Sequence, residues 1–321
     1  MKIAVIIPCY RVRDNILDVL EKMGNEVTRI YCVDDGCPDE SGNFILDSFE
    51  SERLVVLFNG TNQGVGSAVK MGYKAALADG MEILVKVDGD GQMDPIHIPN
   101  LVKSIETGLA DYCKANRFYN QKAFEGMPAS RLFGNAVLSF ITKITSGYWN
   151  IVDPVNGYTA VHFSVLKELN FDAISDDFFF ESSMLFNLGM VGAVVHDVPI
   201  KAFYGEEASN LVIRKIITPF LRNHLFNLCK RIYVVHFLRG FSVASLELVL
   251  GLILLVFGTI YGCVIFFDDY GEKLSVAAGP VMLAALPILL GTQFLLSFLR
   301  HDYSIQARIP IHLSLGNSSD N

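Results

Sequence analysis

Charge is scarce in this sequence. Of 321 residues only 19% are Asp, Glu, Lys or Arg, against 51% hydrophobic, and the mean hydropathy is +0.36. A soluble domain carries more charge than that, so part of the chain belongs in lipid. Basic residues are the minority, 26 against 34 acids, and the net charge of -8 argues against a nucleic-acid partner, which calls for a basic face. No CxxC pair occurs among the cysteines at 9, 32, 37, 113, 229 and 263, and no histidine lies near them in a zinc-like pattern. They read as reduced, mostly buried thiols of a cytosolic domain. His97, His162 and His196 also lack ligand spacing. The opening "MKIAVIIPCY" is too short an apolar run to span a bilayer and reads as a first β-strand, not a signal peptide. Neither an internal repeat nor a low-complexity tract is present.

What is there, up to about residue 205, is an alternation of apolar runs with helical spacings. "KIAVIIP", "TRIYCVDDG", "RLVVLFN", "EILVKVDGD" and "ADYCKANRF" read as strands. "DNILDVLEKMG", "GSAVKMGYKAALADG" and a segment after Pro95 read as helices. Continuous apolar strands between amphipathic helices predict an α/β fold with a parallel sheet covered on both faces. Ligands of such sheets bind at the carboxyl ends of the strands. Three of these strands end at Pro8, at Asp34–Asp35 and at Asp88–Asp90, and the site is expected there.

From 211 to 243 the character changes. Arg214, Lys215, Arg222, Lys230, Arg231 and Arg239 are interleaved with aromatic and aliphatic residues, and no acid occurs between Glu207 and Glu247. That pattern suits helices lying on an anionic membrane surface; the alternative is a basic, solvated face. Ala244–Phe267 and Val276–Leu299 are each long enough to span a bilayer. Basic residues flank their outer ends at Arg239, Arg300 and Arg308. The positive-inside rule then puts the N-terminal domain and the tail in the cytoplasm, with the protein multi-pass in the cell (plasma) membrane. The expected organisation is a catalytic domain over 1–210, interfacial helices over 211–243, two spans over 244–299 and a tail over 300–321, of which "SLGNSSDN" reads as disordered.

The stretch "EILVKVDGDGQMDP" (82–95) carries the chemistry. Asp88 and Asp90 lie two apart where an apolar strand breaks, with Gly89 and Gly91 interleaved and Gln92 next. Mg2+ and Mn2+ prefer such oxygen donors, and glycines let a diphosphate approach the backbone. The alternative is a plain acidic turn. "CVDDGCPDESG" (32–42) is a second strand ending in acids, where Asp34 or Asp35 could accept a base N–H or ribose hydroxyl, or Asp39 simply cap a helix. The "GVG" at 64–66 reads as a tight helix start before it reads as a phosphate loop.

With "VIIPCY", "VDDGCPDESG", "NQGVGSAVKMGYKAA", "VKVDGDGQMDP" and "VDPVNGYTAV" in this order, the chain resembles family 2 glycosyltransferases of GT-A fold, in particular the polyprenyl-phosphate branch that includes dolichyl-phosphate mannose synthases and GtrB-like enzymes. The resemblance covers about residues 1–210, and membrane-anchored members match the two spans. It implies that Pro8, Tyr10 and Asp35 line the nucleotide base pocket with Asp34 beside them, and that Asp88, Asp90 and Gln92 hold metal and nucleotide. Arg117 then lies near sugar and phosphates, Arg131 near the acceptor phosphate, Asp153 in a turn on the acceptor side, and Glu181 close to the point of transfer. Related enzymes form tetramers through their membrane regions, which implies a homo-oligomer. Two departures stand out. Arg11 and Val12 replace an Asn-Glu pair after the first strand, and Asn210, preceded by Glu206–Glu207, replaces a lysine of a diphosphate-clamping loop.

The expected reaction is an inverting transfer of a hexose-type sugar from a UDP-linked donor to a polyprenyl phosphate, undecaprenyl or dolichyl, with Mg2+ or Mn2+ as cofactor. Two arginines, Arg117 and Arg131, suit the task of bringing two anions together. A hydroxyl acceptor on a lipid-linked saccharide would instead need a carboxylate base, Glu181 or Asp153. An inactive membrane scaffold of the same fold is the alternative from another class. The QxxRW segment of polymer synthases is absent, and two spans holding only Glu247 offer a transporter no pathway.

Overall fold

The computed structural model describes residues 1–119, 129–200, 213–272 and 278–315, without the side chains of 130–131, 213–216 and 268–272. The chain forms two compact units, Met1–Asn227 together with Ala307–Asn321, and Leu228–Gln306.

The first unit is built on seven strands: β1 (Ile3–Cys9), β2 (Val27–Asp35), β3 (Leu54–Asn59), β4 (Ile83–Lys86), β5 (Tyr112–Asn116), β6 (Thr159–His162) and β7 (Val195–Pro199), in the order β3-β2-β1-β4-β6-β5-β7. Side chains alternate between the two faces of the sheet. Ile3, Val5, Ile7 and Cys9 pack beneath α1 (Ile16–Glu21), α2 (Ser41–Ser48) and α4 (Ile98–Glu106). Ala4 and Ile6 pack beneath α3 (Val65–Ala78), α6 (Phe163–Glu168) and α7 (Phe180–Val191). Both faces are therefore covered at the centre of the sheet, which is why its central strands read as apolar runs. The sheet is mostly parallel but not wholly so, since β6 runs antiparallel to both β4 and β5. A further helix, α5 (Ala129–Ser146), leads toward β6, and α8 (Ile213–Ile232) carries Pro219 within it.

After the second unit the chain returns to the first. A short helix, α11 (His312–Leu315), follows buried Pro310. Asp111, fully buried at the start of β5, accepts the N–H of Ile311 (2.9 Å), the N–H of His312 (2.9 Å) and the N–H of Val194 (2.7 Å), and lies 2.7 Å from His312 Nδ1. The His312 ring also stacks on His162 at 4.4 Å. Ser314 and Leu315, expected to begin an unstructured tail, thus end a helix; residues 316–321 lie outside the described ones.

The second unit holds α9 (Val243–Glu272) and α10 (Ala278–Ser304). Each contains a stretch long and apolar enough to cross a membrane, Val243–Phe267 and Ala278–Ser304. They pack through small residues: a Cβ on Gly251 would meet the Gly291 carbonyl at 3.1 Å, and one on Gly258 the Ala284 carbonyl at 2.8 Å, the close approach seen between helices in lipid. Glu247, the acid near the start of the first stretch, accepts a hydrogen bond from Ser297 (2.9 Å). Before α9 a π-helical turn, Tyr233–Arg239, brings His236 to Asp302, 2.9 Å away. Arg231, counted among the cations of a membrane-facing surface, is instead buried and makes a two-pronged pair with the same Asp302 (2.7 and 3.0 Å).

Candidate functional site

The strand ends at the carboxyl edge gather the predicted residues in three groups. At β2, Asp34 and Asp35 are 4% and 3% exposed and face inward. Asp34 accepts the N–H groups of Cys37 (2.8 Å) and Gly42 (2.6 Å). Asp35 accepts the Asn59 amide (2.8 Å) and the N–H groups of Gln63 (3.0 Å) and Gly64 (2.8 Å). Each carboxylate therefore shapes a loop. Beside them at the end of β1, Pro8 is half-buried, Tyr10 is exposed, and the Arg11 guanidinium lies 5.6 Å from the Tyr10 ring. Arg11, one of the two departures from the family pattern, adopts φ 57° and its N–H meets Cys37 Sγ at 3.1 Å. The "GVG" segment starts α3, and Ser67 N–H there donates to the Asp176 carbonyl (3.2 Å), so protein already caps that helix end.

The second group lies past β4. Gly91 makes the turn at φ 78°, in the left-handed region that suits glycine. Asp88 and Asp90 are half-buried and Gln92 is exposed. Asp90 accepts the Gln92 N–H (3.0 Å). Asp88 Oδ1 accepts from Lys86 Nζ at 2.7 Å, and the same ammonium donates to Glu181 Oε1 at 3.1 Å. Lys86 is 1% exposed. Burial alone would lower its pKa, but Asp88 and Glu181 carry it above the ordinary lysine range. Glu181 sits in the first turn of α7, so a residue 95 positions away is drawn to the end of β4.

The third group follows β5. Arg117 grips Asp153 through Nε (2.7 Å) and an Nη (3.1 Å), and Asp153 is 1% exposed. Asn156, in the same turn, donates to the Ala115 carbonyl (2.8 Å), while its own carbonyl receives the buried Lys114 ammonium. Burial, reinforced by Lys86, lowers the Lys114 pKa to about 8 against the opposing pull of Glu181 and Asp153. Gly157 closes the turn onto the second group: a Cβ there would meet Lys86 Nζ at 2.5 Å and Asp88 Oδ2 at 2.8 Å. Arg131 falls in α5, but its side chain lies outside the described residues, as do Glu206, Glu207 and Asn210.

Lys86 and Lys114 escaped the sequence reading. In the sheet register both pair with Thr159 of β6, and Lys114 pairs with Asp197 of β7. A polar row Lys86–Thr159–Lys114–Asp197 thus crosses four strands. Burial raises the Asp197 pKa to about 6. The signal available was a lone lysine inside each apolar run, "ILVKV" and "YCKAN", since a buried ammonium must find an anion.

Asp88 and Asp90 offer hard oxygen donors side by side, and Asp88 Oδ2 accepts no hydrogen bond among the described residues. Among those residues no set of three His, Cys, Asp or Glu encloses an ion. A donor pair of this kind fits Mg2+ or Mn2+, which are commonly bound through one or two carboxylates together with substrate phosphates.

Comparison with known proteins adds four findings. The sequence profile of glycosyl transferase family 2 matches residues 4–170. The chain is 30% identical over 225 residues to the UDP-N-acetylglucosamine–dolichyl-phosphate N-acetylglucosaminyltransferase of Methanococcus voltae, covering 64% of this chain and 86% of that one. It is 28% identical to the undecaprenyl-phosphate mannosyltransferase of Micrococcus luteus, covering 62% and 83%. In fold it is similar to the glucosyl-3-phosphoglycerate synthase of Mycobacterium tuberculosis, crystallised with Mg2+ and UDP, at TM-score 0.51 and 16% identity over 72% of this chain and 79% of that one.

Proposed function

The chain belongs to glycosyl transferase family 2, and from that membership we propose that it moves a hexose-type sugar from a nucleotide donor, UDP-linked, to the phosphate of a polyprenyl phosphate. The anomeric carbon–oxygen bond to the diphosphate breaks, a lipid-phosphate oxygen bonds to the opposite face of that carbon, and the nucleoside diphosphate departs with the electron pair. The reaction runs at the cytoplasmic face of the membrane, with α9 and α10 as the anchor.

The observation that carries this reading is the engagement of Glu181 by the buried Lys86 ammonium. A saccharide hydroxyl needs a free carboxylate to take its proton, and here both candidate bases are tied to cations, Glu181 to Lys86 and Asp153 to Arg117. A phosphate monoester, with its second pKa near 6, is largely ionised at neutral pH and needs no such base. Asp88 and Asp90 would hold Mg2+ or Mn2+. That ion, when bound, supplies positive charge to the leaving diphosphate. Tyr10 and Pro8 flank the base end of the donor. Arg117, oriented by Asp153, and Arg131 offset the charge of two converging anions.

The test is to incubate the purified full chain with Mn2+, polyprenyl phosphate and a panel of UDP- and GDP-sugars, then weigh the lipid product. The expected product is the polyprenyl phosphate plus one sugar residue. Asp90→Asn should lower kcat/KM about a hundredfold or more, measured as nucleotide release. Transfer only to a lipid-linked saccharide, or no transfer with any donor, overturns the reading.

A further inference from the structure

We propose that Lys86 is a positioning residue. It holds Asp88 by a single oxygen so that the other is presented outward, and it locks Glu181 at the start of α7 to the end of β4. The inference deepens the function proposed above and rests on it.

Three observations carry it. The two oxygens of Asp88 are unequal: Oδ1 is bound to Lys86 Nζ at 2.7 Å, while Oδ2 accepts no hydrogen bond among the described residues and the side chain remains 31% exposed. The ammonium reaches its two carboxylates from a fully buried stem paired in register with Thr159, so it cannot swing away. Gly157 presses the 153–157 turn against both Nζ and Oδ2, closer than a Cβ would allow. A lysine needed only to fill the core would be better replaced by an apolar side chain of similar volume, because desolvating three charges is costly. What an apolar side chain cannot do is fix which oxygen of Asp88 faces outward. Without the ammonium, Asp88 is free to turn and offer both oxygens, and the repulsion between Asp88 and Glu181 is uncompensated.

The experiment uses the detergent-purified full chain, with free Mn2+ followed by electron paramagnetic resonance in the presence of UDP, alongside transfer kinetics and thermal unfolding. In Lys86→Met one cation is lost and Asp88 gains a free oxygen, so Mn2+ should bind several-fold more tightly while kcat falls about tenfold or more. A merely structural role does not give that pair of changes, because a loosened fold weakens Mn2+ binding. Unchanged kcat in folded Lys86→Met, or Mn2+ binding weakened in step with a lowered Tm, overturns the proposal. Gly157→Ala keeps every charge but wedges the pair apart. It is expected to lower kcat about tenfold with Tm nearly unchanged, and it decides the matter if Lys86→Met does not fold. Wild-type kcat in Gly157→Ala also overturns the proposal. If the unaltered protein neither binds Mn2+ with UDP nor transfers sugar, the parent reading fails, which this design separates from failure of the lysine's role.

Discussion

Asp34 and Asp35 are adjacent and both buried, yet they fasten different loops. One gathers residues 37 to 42 and the other 59 to 64. In Asp34→Asn an amide NH2 must face a backbone N–H that formerly met an oxygen. The expected loss is about 1–3 kcal/mol of stability, read as a lower urea midpoint, with donor KM rising as loop 36–42 loosens. The sequence placed these acids at the right edge of the sheet, because a strand ending in Asp-Asp-Gly is a local pattern. It did not say what they bond, because their partners are backbone groups fixed by the turn. The same limit hid Lys86: the lysine was in view, but its second anion is 95 positions away and no local periodicity points to it.

At the scale of elements, the strands were readable for a physical reason: both faces of the sheet are covered at its centre, so β1 is apolar throughout and β2 and β4 are apolar over Ile30–Val33 and Ile83–Val85. The exceptions are β6 and β7: β6 has four residues, "TAVH", too few to show a period, and β7, "VHDVP", breaks its apolar residues with His196 and Asp197. β6 also carries a pH-sensitive contact. His162 lies against His312, Ser164, Asp111 and Glu82. Burial, aided by His312, lowers its pKa to about 4. A histidine titrating lower when folded than when unfolded stabilises the protein fully above about pH 6.5. That contribution is lost as pH falls toward 4. His162→Gln should therefore reduce the fall of the urea midpoint across this window by at most about 1.4 kcal/mol per pH unit relative to the unaltered protein. Asp197, raised to about 6 by burial, works the other way over the same window, while His224, lowered to about 4 by burial, works with His162. A Gln variant that keeps the full slope would place the pH sensitivity elsewhere.

For the whole molecule, the two apolar helices were legible from composition, since no acid occurs between Glu207 and Glu247 and two long apolar runs follow. The return of residues 307–315 to the first unit was not, because a single histidine in the short segment "ARIPIHLSL" announces nothing. Yet Asp111 depends on it for the N–H groups of Ile311 and His312 and the His312 ring. A chain cut after Asn227 leaves that buried carboxylate with Val194 alone. It should be less stable, on the order of 3 kcal/mol, than the same chain with residues 307–315 rejoined through a Gly/Ser linker. Equal urea midpoints for the two would show the segment to be dispensable.

That returning segment also imposes an order on biosynthesis. Every strand of the sheet has left the ribosome before Ile311 and His312 are made, but Asp111 gains their N–H groups only once the hairpin has been translated. The last hydrogen bonds to that buried carboxylate are thus the last of the sheet's contacts to become available, after both apolar helices exist.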